Sequence, residues 1–471
     1  MHTESLRLSL HSVKQLTLSV FTIGLLAGCN SSDSDSSNAG YIKMYNASVN
    51  SPAVQMVIDD YTYPDVNYSE ATSYYELASD DYTVEVQWQS DEDSFETIFE
   101  QSVDIKNDNT QLMVVSGDFN APKLTVYQYE DESPDDDDNE EYTFRWLNLH
   151  TTGEAVDVYT SDEHETFAQA TLISSLSHEL MTDSFYNDLG KYKFYITLSG
   201  QQEVLFESEE VNFEYQSQYI MVVRDNIGPG DSHYSIDKLS KSASIERLDD
   251  IYATAEMRVY NGVKASDSID LHLEQLGDSP VFSNVNLSNF SDTMSLAFGD
   301  YSMHVKEHTT NEEFVNNHLL TLTANSDKTV FFYTDYPEDD DSDDDSDSDT
   351  PELPTVMSLT VDNSNRVSIY DHQINVINLI QEHTLLDIFF VRSDETIETA
   401  QYKLTNQNDN VGQIVLPNNT YRVFVTTMEE GSQLLLAQTE FSLDENSGDL
   451  FIVTEQDDEY GTDFSVVVTK Q

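Results

Sequence analysis

The chain has 471 residues, 88 of them acidic and 21 basic, for a net charge of -67 and a pI near 4.1. Such a charge excludes bare nucleic acid and anionic headgroups as partners of the folded part, because phosphate is repelled. Apolar residues make up 38%, with 27 Tyr and 22 Phe, so aromatic cores are available and wholesale disorder is excluded.

The first segment in chain order carries Arg7 and Lys14, an apolar stretch over residues 16–27, and Leu26-Ala27-Gly28-Cys29. It is too short and wrongly flanked for a membrane span and reads as a secretory signal over residues 1–28. Its end resembles a bacterial lipoprotein signal, which implies a lipidated Cys29 as the mature first residue. Cys29 is the only cysteine, so no intramolecular disulfide is expected. Residues 29–40 are a polar, flexible tether. Asn30 stands where such lipoproteins carry an aspartate for inner-membrane retention, so the resemblance implies an outer-membrane address.

Four copies of one pattern follow, at residues 41–130, 142–248, 255–361 and 364–471. Each opens with an apolar-aromatic strand: Ile42-Lys43-Met44-Tyr45-Asn46, Phe144-Arg145-Trp146-Leu147-Asn148, Met257-Arg258-Val259-Tyr260-Asn261 and Val367-Ser368-Ile369-Tyr370-Asp371. A second strand centres on Gln55, Asp157, Asp270 or Asp387, each expected to point outward toward a polar neighbour. The clearest element is the alternation Tyr82, Val84, Val86, Trp88, matched by Tyr192, Phe194, Ile196, by Tyr301, Met303, Val305, and by Tyr421, Val423, Val425. Period-two patterning after a polar turn predicts half-buried antiparallel strands. A hairpin is then expected in each module, its second strand at residues 112–115, 219–223, 330–333 or 450–453. About seven short strands per hundred residues give an all-β fold: tandem immunoglobulin-like antiparallel β-sandwiches after a lipoprotein signal peptide.

Tyr45-Asn46-Ala47-Ser48, Ser51-Pro52-Ala53-Val54, Tyr68-Ser69-Glu70-Ala71 and the strand from Asp81 to Val86 resemble the domain of unknown function 4397 family. The resemblance implies tandem β-sandwich modules in a secreted or lipid-anchored protein. It carries no established catalytic residues. Gln55 and Asp80 depart from the family pattern, which prefers aspartate and glycine there.

Two acidic runs interrupt the modules. The linker at 131–141 contains Asp135, Asp136, Asp137 and Asp138. The loop at 338–349 contains Asp339, Asp340, Asp341, Asp343, Asp344 and Asp345. Their carboxylates are Ca²⁺ candidates, but neither run has the glycine that a tight calcium loop uses to turn, so a solvated spacer with loosely held Ca²⁺ is the expectation. His304 and His308 are four apart on an expected strand, where that step spans roughly 13 Å, too far for one zinc. No Gly-x-Ser-x-Gly turn or phosphate-cradling glycine loop occurs, and Gly228-Pro229-Gly230 reads as a loop tip. The reading is a non-enzymatic protein of the bacterial cell envelope, held at the membrane through lipidated Cys29. Its modules are presented for binding or adhesion to an envelope protein, a glycan or a surface ligand. The alternatives are a calcium-dependent adhesin and a polysaccharide-acting hydrolase or its accessory subunit.

Overall fold

The computed structural model describes residues 38–91, 94–132, 140–335, 354–408, 410–456 and 463–471. These are strand and loop apart from two single-turn 3-10 segments, Phe167–Gln169 and Glu274–Leu276. Residues 39–471 form one compact unit. Eight sheets combine in pairs into four sandwiches.

Module 1 shows the plan. Its first sheet places Ala39–Ala47 between Asn109–Ser116 and the short strands Glu70–Ala71 and Tyr75–Ala78, with Lys123–Glu130 at the far edge. Its second sheet runs Tyr61–Thr62, Val54–Ile58, Asp81–Asp91, Ser94–Asp104. The stripe from Tyr82 to Trp88 faces the core, with Val84 and Val86 fully buried against Met44, Met56 and Met113. The corresponding stripes in the other modules line three further cores. In modules 2, 3 and 4 the tyrosine that opens the stripe also donates its hydroxyl to a carbonyl four residues back: Tyr192 to Asp188, Tyr301 to Ala297, Tyr421 to Pro417. The polar turn before each tyrosine brings that carbonyl within reach.

Among the described residues, the named strands pair antiparallel with one exception per module. The first strand runs parallel to the central strand that follows the second sheet: Ala39–Ala47 with Asn109–Ser116, Glu141–Asn148 with Gln218–Asp225, Ala255–Gly262 with Asp327–Asp335, and Asp371–Asn378 with Leu450–Gln456. The expected terminal hairpins are therefore not formed. Ser94–Asp104 stays in the second sheet, and the chain crosses through Asn107-Asp108 to enter the first sheet at Asn109. Asp108 takes the left-handed conformation (φ 55°) that this tight crossing needs.

The fourth module also departs from the sequence reading. Its first strand is Asp371–Asn378 rather than the stretch beginning at Val367. Ile369 and Tyr370 pack instead against the core of module 1, and Tyr370 lies 4.7 Å from Trp88, centroid to centroid. The shift brings Asn378 to the position held by Asn46, Asn148 and Asn261. Each of these four asparagines is the last or next-to-last residue of a first strand, is fully buried, and clamps the loop beyond it. The Oδ1 atoms accept from the backbone N–H two residues on, at Ser48, His150, Val263 and Ile380. The Nδ2 atoms of Asn46, Asn148 and Asn261 donate to more distant carbonyls, Val66 O, Leu176 O and Val285 O, and that of Asn378 donates within the adjoining loop, to His383 O.

Because the Asn148 amide satisfies backbone groups that no water reaches, Asn148→Ala is expected to lower unfolding free energy by about 1–3 kcal/mol, measured as a shift in the urea midpoint with the dichroism spectrum of the folded state unchanged.

Candidate functional site

The residues singled out for lipidation and ion binding, Cys29, Asp135, Asp136, Asp137, Asp138, Asp339, Asp340, Asp341, Asp343, Asp344 and Asp345, lie outside the described residues. The described start of the first acidic run is pinned. Asp131 pairs with Lys241 at 2.8 Å and its N–H donates to Asp108 O, while Glu132 lies 3.5 Å from Arg145.

The repeated aspartates are held by local hydrogen bonds. Asp157 accepts from Ser175 Oγ at 2.5 Å and Gly200 N at 2.8 Å. Asp270 accepts from Ser283 Oγ and Asn284 N, and Asp387 from Thr405 Oγ1. Burial opposes ionisation of Asp157 and Asp270, but the hydrogen bonds outweigh it and hold both carboxyls below the ordinary range. Gln55 fills the same place in module 1 and bonds Gln87. His304 and His308 serve different carboxylates, Glu313 at 3.2 Å and Asp270 at 2.9 Å. Glu163, His164 and Glu210 present ligand atoms within 4.8 Å of one another. Lys191 lies 3.6 Å from Glu163 and 3.4 Å from Glu210, supplying the positive charge that a metal would otherwise bring.

The strongest convergence of polar groups lies where modules meet. The first sheets of modules 1 and 2 pack face to face through Tyr45, Leu112, Val114, Leu147, Ile220 and Val222. Those of modules 3 and 4 pack through Tyr260, Phe331, Tyr333, Ile377, Phe451 and Val453. At the centre of the first junction Asp237, fully buried, takes both Nε and Nη2 of Arg224 at 2.8 Å. Two module-1 hydroxyls complete its shell, Tyr45 at 2.8 Å and Ser69 at 2.7 Å. Burial disfavours the Arg224 charge, yet Asp237 more than offsets this and raises its pKa. Lys43 of module 1 reaches across to donate to Ser240 O at 2.8 Å and Ser242 O at 2.6 Å. Burial pushes its ammonium down to about 7.

The other junctions use the same means. Between modules 3 and 4, buried Glu455 accepts from Ser288 Oγ at 2.6 Å and lies 3.4 Å from Lys264. Between modules 2 and 3, the Asn325 amide exchanges hydrogen bonds with Asn226 and takes the N–H of Gly230. A Cβ at Gly228 would collide with that amide, so the glycine pair is a socket rather than a simple loop tip. Between modules 4 and 1, Arg392 holds both oxygens of Asp91 at 2.9 and 3.0 Å, and Ile369 N donates to Asn50 O. Contacts thus run from module 1 through 2 and 3 to 4, and return to 1.

Sequence reasoning missed these docking residues, although one signal was present. Leu112-Met113-Val114-Val115 is apolar without alternation, as a strand buried on both faces requires. Met113 and Val115 enter the module core while Leu112 and Val114 enter the junction.

Residues 40–159 match the family described as Domain of unknown function (DUF4397). The match takes in module 1 and the first two strands of module 2, ending at Tyr159. No curated protein matches the sequence. Among solved structures, the chain is similar to the Bacillus anthracis TIE protein at 10% identity, covering 89% of this chain and 69% of that one with a TM-score of 0.14. It is also similar to BcpA, the major pilin subunit of Bacillus cereus, at 10% identity, covering 66% and 97% with a TM-score of 0.15. Likeness at these scores carries no argument about function.

Two outcomes test the first junction. Asp237→Ala leaves the buried Arg224 charge without its carboxylate and is expected to cost about 3–5 kcal/mol, part of it regained by Arg224→Met combined with Asp237→Leu, as read by urea unfolding. The depressed Lys43 pKa means that above about pH 7 the folded state has released a proton that the unfolded chain keeps up to about pH 10. Stability is therefore expected to rise with pH through that window, and Lys43→Met to flatten the rise in a series of denaturation midpoints.

Proposed function

We propose that this protein is a non-enzymatic, lipid-anchored component of the bacterial cell envelope that presents a rigid set of β-sandwich modules for binding or adhesion. The observation that carries the reading is the closed circuit of inter-module contacts, with buried polar groups at the Asp237 and Glu455 junctions. A chain built to hold four sandwiches in fixed relation offers its second sheets and its loops as a surface of defined geometry. Exposed Glu96, Glu100 and Asp104 on the edge strand Ser94–Asp104 support the same reading, since charge on an open edge discourages indiscriminate strand pairing. Ca²⁺ held loosely by the two acidic runs is part of the proposal.

No helix among the described residues is long and apolar enough to cross a membrane. The proposal places attachment at a lipid on Cys29, with an outer-membrane address, on the strength of the lipoprotein-like sequence Leu26-Ala27-Gly28-Cys29 and of Asn30. Cys29→Ser is expected to move the protein from the membrane fraction to the soluble fraction, and protease added to intact cells to remove the wild-type modules. Membrane retention of the variant would refute the anchor, and full protection of the wild type would refute outward presentation.

A further inference from the structure

The geometry points to a binding cleft for a neutral oligosaccharide on module 2, a proposal that rests on the binding role above and gives it a ligand class. A cleft of about 610 Å³ opens between the turn at residues 214–217 and the turn at residues 240–244. Its floor is built by Lys238, whose ammonium lies over the rings of Phe213 and Tyr219 at 4.2 and 4.8 Å and donates to Asn212 O and Glu246. The second turn is fixed from beneath by module 1. Lys43 holds the carbonyls of Ser240 and Ser242, and Tyr74 N donates to Lys241 O at 2.9 Å. Docking of the two modules therefore preorganises one wall of the cleft, so a ligand meets a surface already ordered.

The lining selects the chemistry. Tyr215 stands at the rim with 71% of its surface exposed, an aromatic face with nothing stacked on it among the described ring contacts. Around it are the hydroxyls of Ser217, Ser240, Ser242 and Ser244 and the carboxylates of Glu214 and Glu246. Hydroxyls donate and accept, and carboxylates accept, so the set matches the alternating hydroxyl groups of a sugar while the tyrosine ring matches its C–H face. The lining contains no Val, Leu, Ile or Met, so its apolar surface is confined to aromatic rings and suits the flat C–H face of a sugar better than the branched side chains of a peptide. Glu214 and Glu246 are matched in the lining by Lys238 and Lys241, so the cleft offers no excess of positive charge to an anionic polymer, and the net charge of -67 of the whole chain repels one.

The test is isothermal titration of the full-length protein in detergent with cellohexaose, laminarihexaose, hexa-N-acetylchitohexaose and polygalacturonate. At least one neutral hexasaccharide is expected to bind saturably. Tyr215→Ala is expected to weaken that binding at least tenfold and Tyr215→Phe to keep it within about twofold, both without a change in melting temperature, since the ring is exposed and its stacking face is what counts. Absence of saturable heat with all three neutral sugars, binding indifferent to Tyr215→Ala, or preference for polygalacturonate would each overturn the assignment. These outcomes are independent of the fractionation and shaving results, so the cleft and the presentation role fail separately.

Discussion

The structure depends on the central strands of the first sheets being buried on both faces. A sandwich core accounts for only one face of Asn109–Ser116 or Leu450–Gln456. The other face would expose a row of Leu, Val and Phe to water if each module stood alone. Pairing the modules removes that cost and converts what would be an aggregation hazard into an internal contact. The same burial then dictates the polar chemistry. Once the faces close, Arg224, Lys43 and Glu455 are cut off from solvent and must find partners within the protein. Asp237, the Ser240 and Ser242 carbonyls, and Ser288 with Lys264 are those partners.

Specificity of docking follows from the polar groups more than from the apolar ones. Apolar sheets slide over one another at little expense, because the hydrophobic effect has no direction. Asp237 does have one. It is satisfied only when Arg224, Tyr45 and Ser69 arrive together, two groups of them from the neighbouring module. The Asn325 amide in its glycine socket fixes the junction of modules 2 and 3 in the same way, by shape and hydrogen bonding at a point where little apolar surface is available.

Much of the fold was legible in the sequence. The stripes opened by Tyr82, Tyr192, Tyr301 and Tyr421 are strands with the predicted inward face, because period-two alternation reports directly on a half-buried sheet. The pairing of those strands was harder. Nothing local distinguishes a hairpin from a crossing between sheets when both use a short polar turn, so the pattern alone pairs residues 112–115 with residues 103–105 instead of with the first strand and Lys123–Glu130. The start of module 4 is obscured in the sequence because Ile369 and Tyr370 mimic a strand opening while serving module 1. The buried asparagine at Asn46, Asn148 and Asn261 was the better marker, and it points to Asn378. The cleft on module 2 was not legible at all. Tyr215 and the serines of residues 240–244 look like ordinary loop residues until Lys43, some two hundred positions earlier, is seen holding the second turn in place.

The return contact from module 4 to module 1 has a mechanical consequence. In a simple string of domains, tension entering at one end passes through each domain in turn, and the least stable one yields first. Here a pull at Ala39 enters module 1 and leaves it by two routes, along the backbone into module 2 and sideways through Asp91, Trp88 and Asn50 into module 4. The load is shared between parallel paths, one covalent along the backbone and one through the non-covalent contacts of Arg392 and Tyr370.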